Sequence, residues 1–198
     1  MSAAGGARGI AELRRRLAAR TRRSIQQPGA RSAAVLVPLV GGDDDLALLC
    51  FERTQEVMEH KGEICLPGGS IEPHDANPTE AALRETREEL GVPPDAVKVL
   101  GELDDVHTTV SGYVITPVVG HIATMPEIVP DPLEVARMLV VPVGRLREPG
   151  VHGTTIREWR GTMREVHRFD VSGDQIWGAT ARILYNLLQV WSGDASIT

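Results

Sequence analysis

Only two cysteines, Cys50 and Cys65, occur in 198 residues, and each sits inside an apolar, strand-like run, "LALLCFER" and "EICLPGG". So few thiols exclude a disulfide framework and a cysteine-based metal site, and they fit buried free thiols in a reducing compartment. The six histidines show no metal-ligand spacing. No apolar run is long enough to cross a bilayer, and no hydrophobic leader core follows the first residues. The expectation is a soluble, cytoplasmic protein with no membrane span. No internal repeat is present, which leaves one globular domain with a substantial core as the reading of a chain that is 42% hydrophobic and 24% charged.

Charge of one sign is missing from one end. Through Arg31 the chain has eight arginines against a single acid, Glu12, and with a net charge of −6 overall this leaves −13 for the remainder. An acidic body with a basic leader argues against a nucleic-acid-binding surface as the main function. The leader places Ile10, Leu13, Leu17 and Ile25 near helical spacing among its arginines. That pattern predicts a short amphipathic helix lying on the domain with a solvated basic face, with a phosphate-attracting arm, a membrane-surface helix and an organellar leader as the alternatives.

Further along, "SAAVLVPLV" and "LALLCFER" read as two strands around a "GGDDD" turn. "VKVLGEL", "YVITPVVGHIA" and "MLVVPV" are strand-like, and "TTIREWRGTMREVHRFDV" reads as a hairpin turning near Arg160-Gly161. The closing "DQIWGATARILYNLLQVW" predicts a helix whose face carries Ile176, Ala179, Ile183, Leu187 and Val190. Strands and helices in this order predict a mixed sheet packed between helices.

The best-punctuated element is "NPTEAALRETREELGV". Asn77 is placed to N-cap a helix, Pro78 suits its first position, and Glu80 completes a capping box. Gly91 suits the left-handed position that ends it, and Pro93-Pro94 prevents continuation. On that helix Glu85, Glu88 and Glu89 share one edge. Like charges at this spacing repel by roughly 0.2–0.5 kcal/mol per pair. A solvated acidic face, with Arg84 and Arg87 as partners, explains "RETREEL" taken alone. The preceding "LPGGSIEPHD" changes the balance, because Gly68-Gly69 lets backbone approach the acidic edge. Converging glutamate oxygens suit hard ions such as Mg²⁺ or Mn²⁺.

These residues resemble the signature of the Nudix hydrolases, a glycine-rich loop followed by a helix bearing R-E-x-x-E-E-x-G. The family's usual earlier glutamate would fall on Ala76 here. Asp75 is the nearest acid, and the loop is one residue longer. "LLCFERTQEVMEHKGEICLPGG" is similar to the extra motif of the family's coenzyme A pyrophosphatase branch, matched at Arg53, Gly62 and Pro67-Gly68-Gly69. It departs at Met58, where a second arginine is expected, and at Leu66, where phenylalanine is expected.

The resemblance implies a Nudix fold of the α/β (α+β) class, a mixed β-sheet sandwiched between α-helices. Residues 1–31 would then be a basic tail and helix, and residues 32–198 the hydrolase domain. It implies cleavage of coenzyme A or its derivatives with Mg²⁺ or Mn²⁺. Glu85, Glu88 and Glu89 with the Gly68 carbonyl would hold metal, and Arg84 would orient a glutamate. Arg53, Lys61 and Gly69 would meet the substrate. Glu134 resembles a base that some members bring from a loop, with Glu85 as the competing base and a plain surface acid as the alternative for Glu134. Other nucleoside diphosphate derivatives are the rival substrates: ADP-ribose, a dinucleoside polyphosphate or an oxidised nucleotide. A non-catalytic nucleotide-binding domain is the rival class. The apolar last helix serves a homodimer as readily as a core.

Overall fold

The computed structural model describes residues 9–56, 61–108, 111–159 and 161–193, with only the backbone of Trp159. Four helices, α1 (Ile10–Ala19), α2 (Pro78–Leu90), α3 (Val143–Leu146) and α4 (Gly178–Ser192), alternate with eleven strands among the described residues. The strands are β1 (Arg31–Val40), β2 (Ala47–Arg53), β3 (Ile64–Cys65), β4 (Gly68–Ser70), β5 (Lys98–Glu102), β6 (Val106–Thr108), β7 (Tyr113–Ile122), β8 (Val135–Pro142), β9 (His152–Trp159), β10 (Thr162–Val171) and β11 (Asp174–Trp177).

The first eight strands form one mixed sheet. Its spine is the parallel pair β1 and β7, in register from Arg31 opposite Tyr113 to Val40 opposite Ile122. The other edge of β1 is shared. Its end pairs with β2 at Leu39 and Val40, while its beginning pairs with β4 at Ala33 to Val35. The sheet therefore opens between β2 and β4, and that opening is where the "PGG" segment lies.

Alternation along β1 sorts the core into two layers. Ala34, Leu36 and Val40 pack with Ala81, Ala82 and Leu90 of α2 on one face. Val37 and Leu39 pack with Leu13 and Leu17 of α1 and with Ile183, Leu184, Leu187 and Trp191 of α4 on the other. Helices thus cover both faces of the mixed sheet, the architecture expected from the sequence.

Three details differ from expectation. The first helix ends at Ala19, so Ile25 lies beyond it and is exposed. The helix lies on the domain as expected, with Leu13 and Leu17 in the core and Arg14 and Arg15 exposed, but the leader beyond it is bound: Arg20 pairs with Asp104, and Arg22 pairs with Asp105 at 2.5 Å and reaches the Thr116 hydroxyl at 3.0 Å. The acidic body thereby neutralises part of its own leader. Lastly, Ile176 belongs to β11, opposite Phe169 of β10, and the helix begins only at Gly178, whose φ of +69° breaks the extended run. A strand passing into a helix with no intervening loop leaves no turn signal to read.

The β9–β10 hairpin pairs Thr162 with Trp159 as expected, Arg160 lying outside the described residues. It docks on α4 through a histidine pair. His152 and His167 stack with Tyr185 at centroid distances of 4.8 and 4.5 Å. Arg182 Nη1 lies 2.9 Å from His167 Nε2, and His167 Nδ1 lies 3.0 Å from His152 Nε2. An arginine can only donate, so His167 accepts at Nε2 and donates from Nδ1. Both rings are then neutral. Burial pushes both pKa values down, assisted by Arg168 for His152 and by Arg182 and His152 for His167, with Glu165 opposing. A depressed histidine pKa stabilises the fold above the unfolded value of about 6.5 and withdraws that stability as pH falls through the folded values. Thermal melts between pH 7 and pH 5 are expected to show a falling Tm, and His152→Gln is expected to flatten that slope.

Candidate active site

Helix α2 is built as its punctuation predicts. The Asn77 side chain accepts from the Glu80 N–H at 3.0 Å, and Gly91 at φ +72° closes the far end on the Arg87 carbonyl. The Glu80 carboxylate reaches back to the Ala76 N–H at 2.9 Å, one residue beyond the usual capping-box partner. These caps fix the rotation of the helix. Ala82 and Thr86 point into the sheet, Glu89 is buried beside them, Glu85 is half-buried at the margin, and Glu88 projects into solvent.

Two glycines bring backbone against that margin. Gly68 donates its N–H to Glu89 Oε2 at 2.8 Å. A Cβ on Gly69 would sit 2.7 Å from the Glu85 carboxyl carbon, so only a glycine leaves room for the carboxylate. Gly68 itself lies at φ +150°, where a Cβ would come within 2.3 Å of the Ala34 carbonyl oxygen.

Arg84 organises the acidic edge. Its Nη1 donates to Glu85 at 2.8 Å and to Glu88 at 3.1 Å, and its Nη2 donates to the Ser70 carbonyl at 3.1 Å. Behind it Asp75 accepts two bonds, from Nε at 3.1 Å and Nη2 at 3.0 Å. Asp75 is almost fully buried, and Arg84 holds its carboxyl below the usual range. The lengthened loop thus still delivers an acid to this arginine, one residue earlier than the family pattern places it.

Arg53 approaches from the end of β2, where a register shift interrupts the pairing with β8. Its Nη2 pairs with Glu134 at 2.8 Å and its Nη1 lies 3.7 Å from Glu89. Glu134 is partly exposed at the start of β8, and its charge is felt by both Glu85 and Glu89. The Arg53 N–H donates to the Glu63 carbonyl at 3.0 Å, and the Gly62 N–H donates to the Arg53 carbonyl at 3.1 Å. Arg53 and Gly62 are therefore the closing residues of a hairpin loop, and Gly62 takes φ +67°, which favours glycine. Lys61 is exposed one residue before that closure. Met58 lies outside the described residues.

The electrostatics of the acidic edge suit a bound cation. Burial pushes the Glu89 carboxyl up to about 8, against the lowering effects of the Gly68 N–H and Arg53. Burial also raises Glu85, with Arg84 opposing. Two carboxylates kept from water without full compensation, plus the gap left by Gly69, fit a hard divalent ion with oxygen ligands. Among the described residues no three metal-binding side chains converge on one point in this conformation. Arg84 draws Glu85 and Glu88 towards itself, while Glu89 turns to the Gly68 N–H. The site thus gathers Glu85, Glu88, Glu89, Arg84, Gly68, Gly69, Arg53 and Glu134, with Lys61 at the hairpin end. Sequence reasoning gave no partnership between Arg53 and Glu134, which are 81 positions apart and meet only because β2 pairs with β8.

Comparison with known proteins shows the family and the fold. The NUDIX domain model matches residues 30–150. A relative from Photorhabdus laumondii, described as uncharacterized Nudix hydrolase NudL, is 32% identical over 159 residues, covering 80% of this chain and 84% of its own length. Its counterpart from an Enterobacter species is 37% identical over 161 residues, covering 79% and 81%. Among solved structures, a MutT/nudix family protein from Enterococcus faecalis shares the fold with a TM-score of 0.56 at 16% identity, covering 83% of this chain and 63% of that one. No helix among the described residues is long and apolar enough to cross a membrane. The chain belongs to the Nudix hydrolase family, pyrophosphohydrolases of nucleoside diphosphate derivatives that generally use divalent metal ions.

Proposed function

We propose that this enzyme cleaves the diphosphate of coenzyme A or its derivatives, with Mg²⁺ or Mn²⁺, to 3′,5′-ADP and (acyl-)phosphopantetheine. The observation that carries the reading is the Arg53–Gly62 hairpin. The residues that resemble the coenzyme A motif close a loop at the acidic edge, with Arg53 3.7 Å from Glu89. That placement supports the reading, because it brings the Arg53 guanidinium to the acidic edge that a bound diphosphate would approach.

In this reading Glu85, Glu88 and Glu89, with the Gly68 carbonyl, hold the metal. A divalent ion held there neutralises diphosphate oxygens and acidifies water. The remaining work falls to the chain itself. Arg84, locked by Asp75 and the Ser70 carbonyl, keeps Glu85 and Glu88 on one edge. Gly69 lets the substrate approach the backbone. Arg53 and Lys61 contact phosphate oxygens, including the 3′-phosphate. Glu134, exposed to solvent and close enough to act on Glu85 and Glu89, accepts the proton of the attacking water. One phosphorus–oxygen bond forms from water, the bridging bond breaks, and the proton passes to the leaving phosphate. Glu85 is the competing base. A homodimer through other surfaces is compatible with all of this.

The rival reading is another nucleoside diphosphate derivative, ADP-ribose among them. Methionine at position 58 favours it by removing a phosphate contact. Incubating the protein and Mg²⁺ with coenzyme A, ADP-ribose, a dinucleoside polyphosphate and an oxidised nucleotide separates the two. Fastest release of 3′,5′-ADP from coenzyme A is expected. Faster turnover of another compound, with no 3′,5′-ADP formed, contradicts the substrate assignment and leaves the family membership intact.

A further inference from the structure

Two guanidinium groups neutralise the acidic edge, and they are held very differently. Arg84 is anchored on the side away from the glutamates by both oxygens of buried Asp75 and by the Ser70 carbonyl. Freeing it would strand Asp75 as an uncompensated buried charge, which is strongly unfavourable. Arg53 has no comparable anchor. Its one short ion pair among the described residues is to Glu134, which is 41% exposed, and pairs that open to solvent contribute little. Its contact with Glu89 is a loose 3.7 Å. Its Nε is buried and makes no hydrogen bond among the described residues, and the Cys65 thiol that also interacts with the guanidinium is only a weak acceptor. An unmade bond at a buried charged donor is costly, because the group has given up its water without gaining a partner. Arg53 therefore sits in a position that is electrostatically useful and incompletely satisfied.

Resting on the metal-cradle reading above, we propose that Arg53 is an exchangeable counter-ion: it occupies the charge position at Glu89 until a divalent cation arrives, and is then displaced towards an anionic phosphate. Three features on the page combine here. Glu89 is 3% exposed, so its ionised form has little water around it and is favoured by a facing cation. Arg53 Nη1 is the cation that does so now. The orphaned Nε gives the same side chain a donor that an added phosphate oxygen can satisfy, while Glu134 remains available to steady it. A cation at Glu89 and the guanidinium repel each other, so arrival of metal and reorientation of Arg53 are one linked event. The two cations then compete for Glu89 in the absence of substrate, and an anion relieves that competition. Arg53 is thus a positioning residue for the cation as well as a contact for substrate.

The competition is measurable without turnover. Full-length protein is titrated with Mn²⁺ alone, and free Mn²⁺ is read by electron paramagnetic resonance. Removing the resident charge in Arg53→Gln is expected to tighten Mn²⁺ binding about five- to tenfold, even as turnover of the diphosphate substrate falls. Arg53→Lys, which retains a charge, is expected to bind Mn²⁺ about as wild type does. A merely structural arginine would lower Tm in Arg53→Gln and leave the Mn²⁺ affinity unchanged or weaker, and that result overturns the exchange. Absence of Mn²⁺ binding in wild type and variant alike overturns the cradle itself, and this inference with it. Should Arg53→Gln fail to fold, Arg53→Met supplies the neutral comparison, and unchanged affinity in that variant likewise overturns the proposal.

Discussion

Glu89→Gln is expected to lose more than about 100-fold in activity while becoming more stable in metal-free buffer. Replacing residues that merely orient a metal ligand already costs about 10–100-fold, so removing a ligand costs more. The structural bond survives, because the glutamine carbonyl still accepts from the Gly68 N–H that now reaches Glu89 at 2.8 Å. What disappears is a buried carboxylate whose pKa burial pushes up to about 8. The sign follows from linkage. The unfolded carboxyl ionises near 4.5, the folded one near 8, so the unfolded state gives up its proton first as pH rises. Metal-free wild type therefore loses stability between those two values and stays penalised above them. Glutamine carries no such penalty. Even roughly 1–2 kcal/mol regained corresponds to about 3–8 °C in Tm for a domain of this size. Melts of both proteins in chelator at pH 9 and pH 4.5 check this: the gap should be present at the higher pH and close at the lower. Saturating Mn²⁺ should raise the Tm of wild type by binding the folded state, and should do little for the variant. A variant that is destabilised at pH 9 and still active contradicts the assignment of Glu89.

Adjacent glycines should fail in opposite ways. Gly68→Ala puts a Cβ 2.3 Å from the Ala34 carbonyl oxygen and 2.5 Å from the Val35 Cα, at a φ of +150°. Both obstacles are backbone atoms of the central strand and cannot move aside. The expected cost is about 3–5 kcal/mol, seen as a Tm lower by roughly 10 °C or more. In Gly69→Ala the obstacle is the end of the Glu85 side chain, 2.7 Å away, which can rotate. The fold should survive with a change within about 1 kcal/mol, while displacement of Glu85 by about 1 Å lowers activity by up to 100-fold. Equal losses of stability in the two variants would contradict this division between a glycine required by the sheet and a glycine required by the site.

The sequence makes α2 legible because its signals are local. Asn77, Pro78, Glu80 and Gly91 each act within one turn, so caps and rotation can be read directly, and with them the edge carrying Glu85, Glu88 and Glu89. The strands "SAAVLVPLV" and "YVITPVVGHIA" are legible as strands, but nothing in them announces that β1 and β7 pair in parallel or that β1 shares its other edge between β2 and β4. Tertiary pairing decides those. The same limit hides the contact of Arg53 with Glu134, which depends on β2 meeting β8. Asp75 is an intermediate case. Its nearness to the family position is visible, yet only the folded loop turns both of its oxygens to Arg84. Ile176 fails for a local reason, since its spacing fits the helix that follows while its backbone pairs with Phe169.

The proposed function requires a divalent ion at the α2 edge that serves to break a coenzyme A diphosphate. Phosphorus NMR of coenzyme A with the protein and Mg²⁺, followed by excess chelator, tests that most directly. The predicted result is loss of the diphosphate resonances and growth of new phosphomonoester resonances matching 3′,5′-ADP and phosphopantetheine, arrested by the chelator. An unchanged diphosphate signal in Mg²⁺ and in Mn²⁺, or cleavage that continues undiminished in chelator, would contradict it.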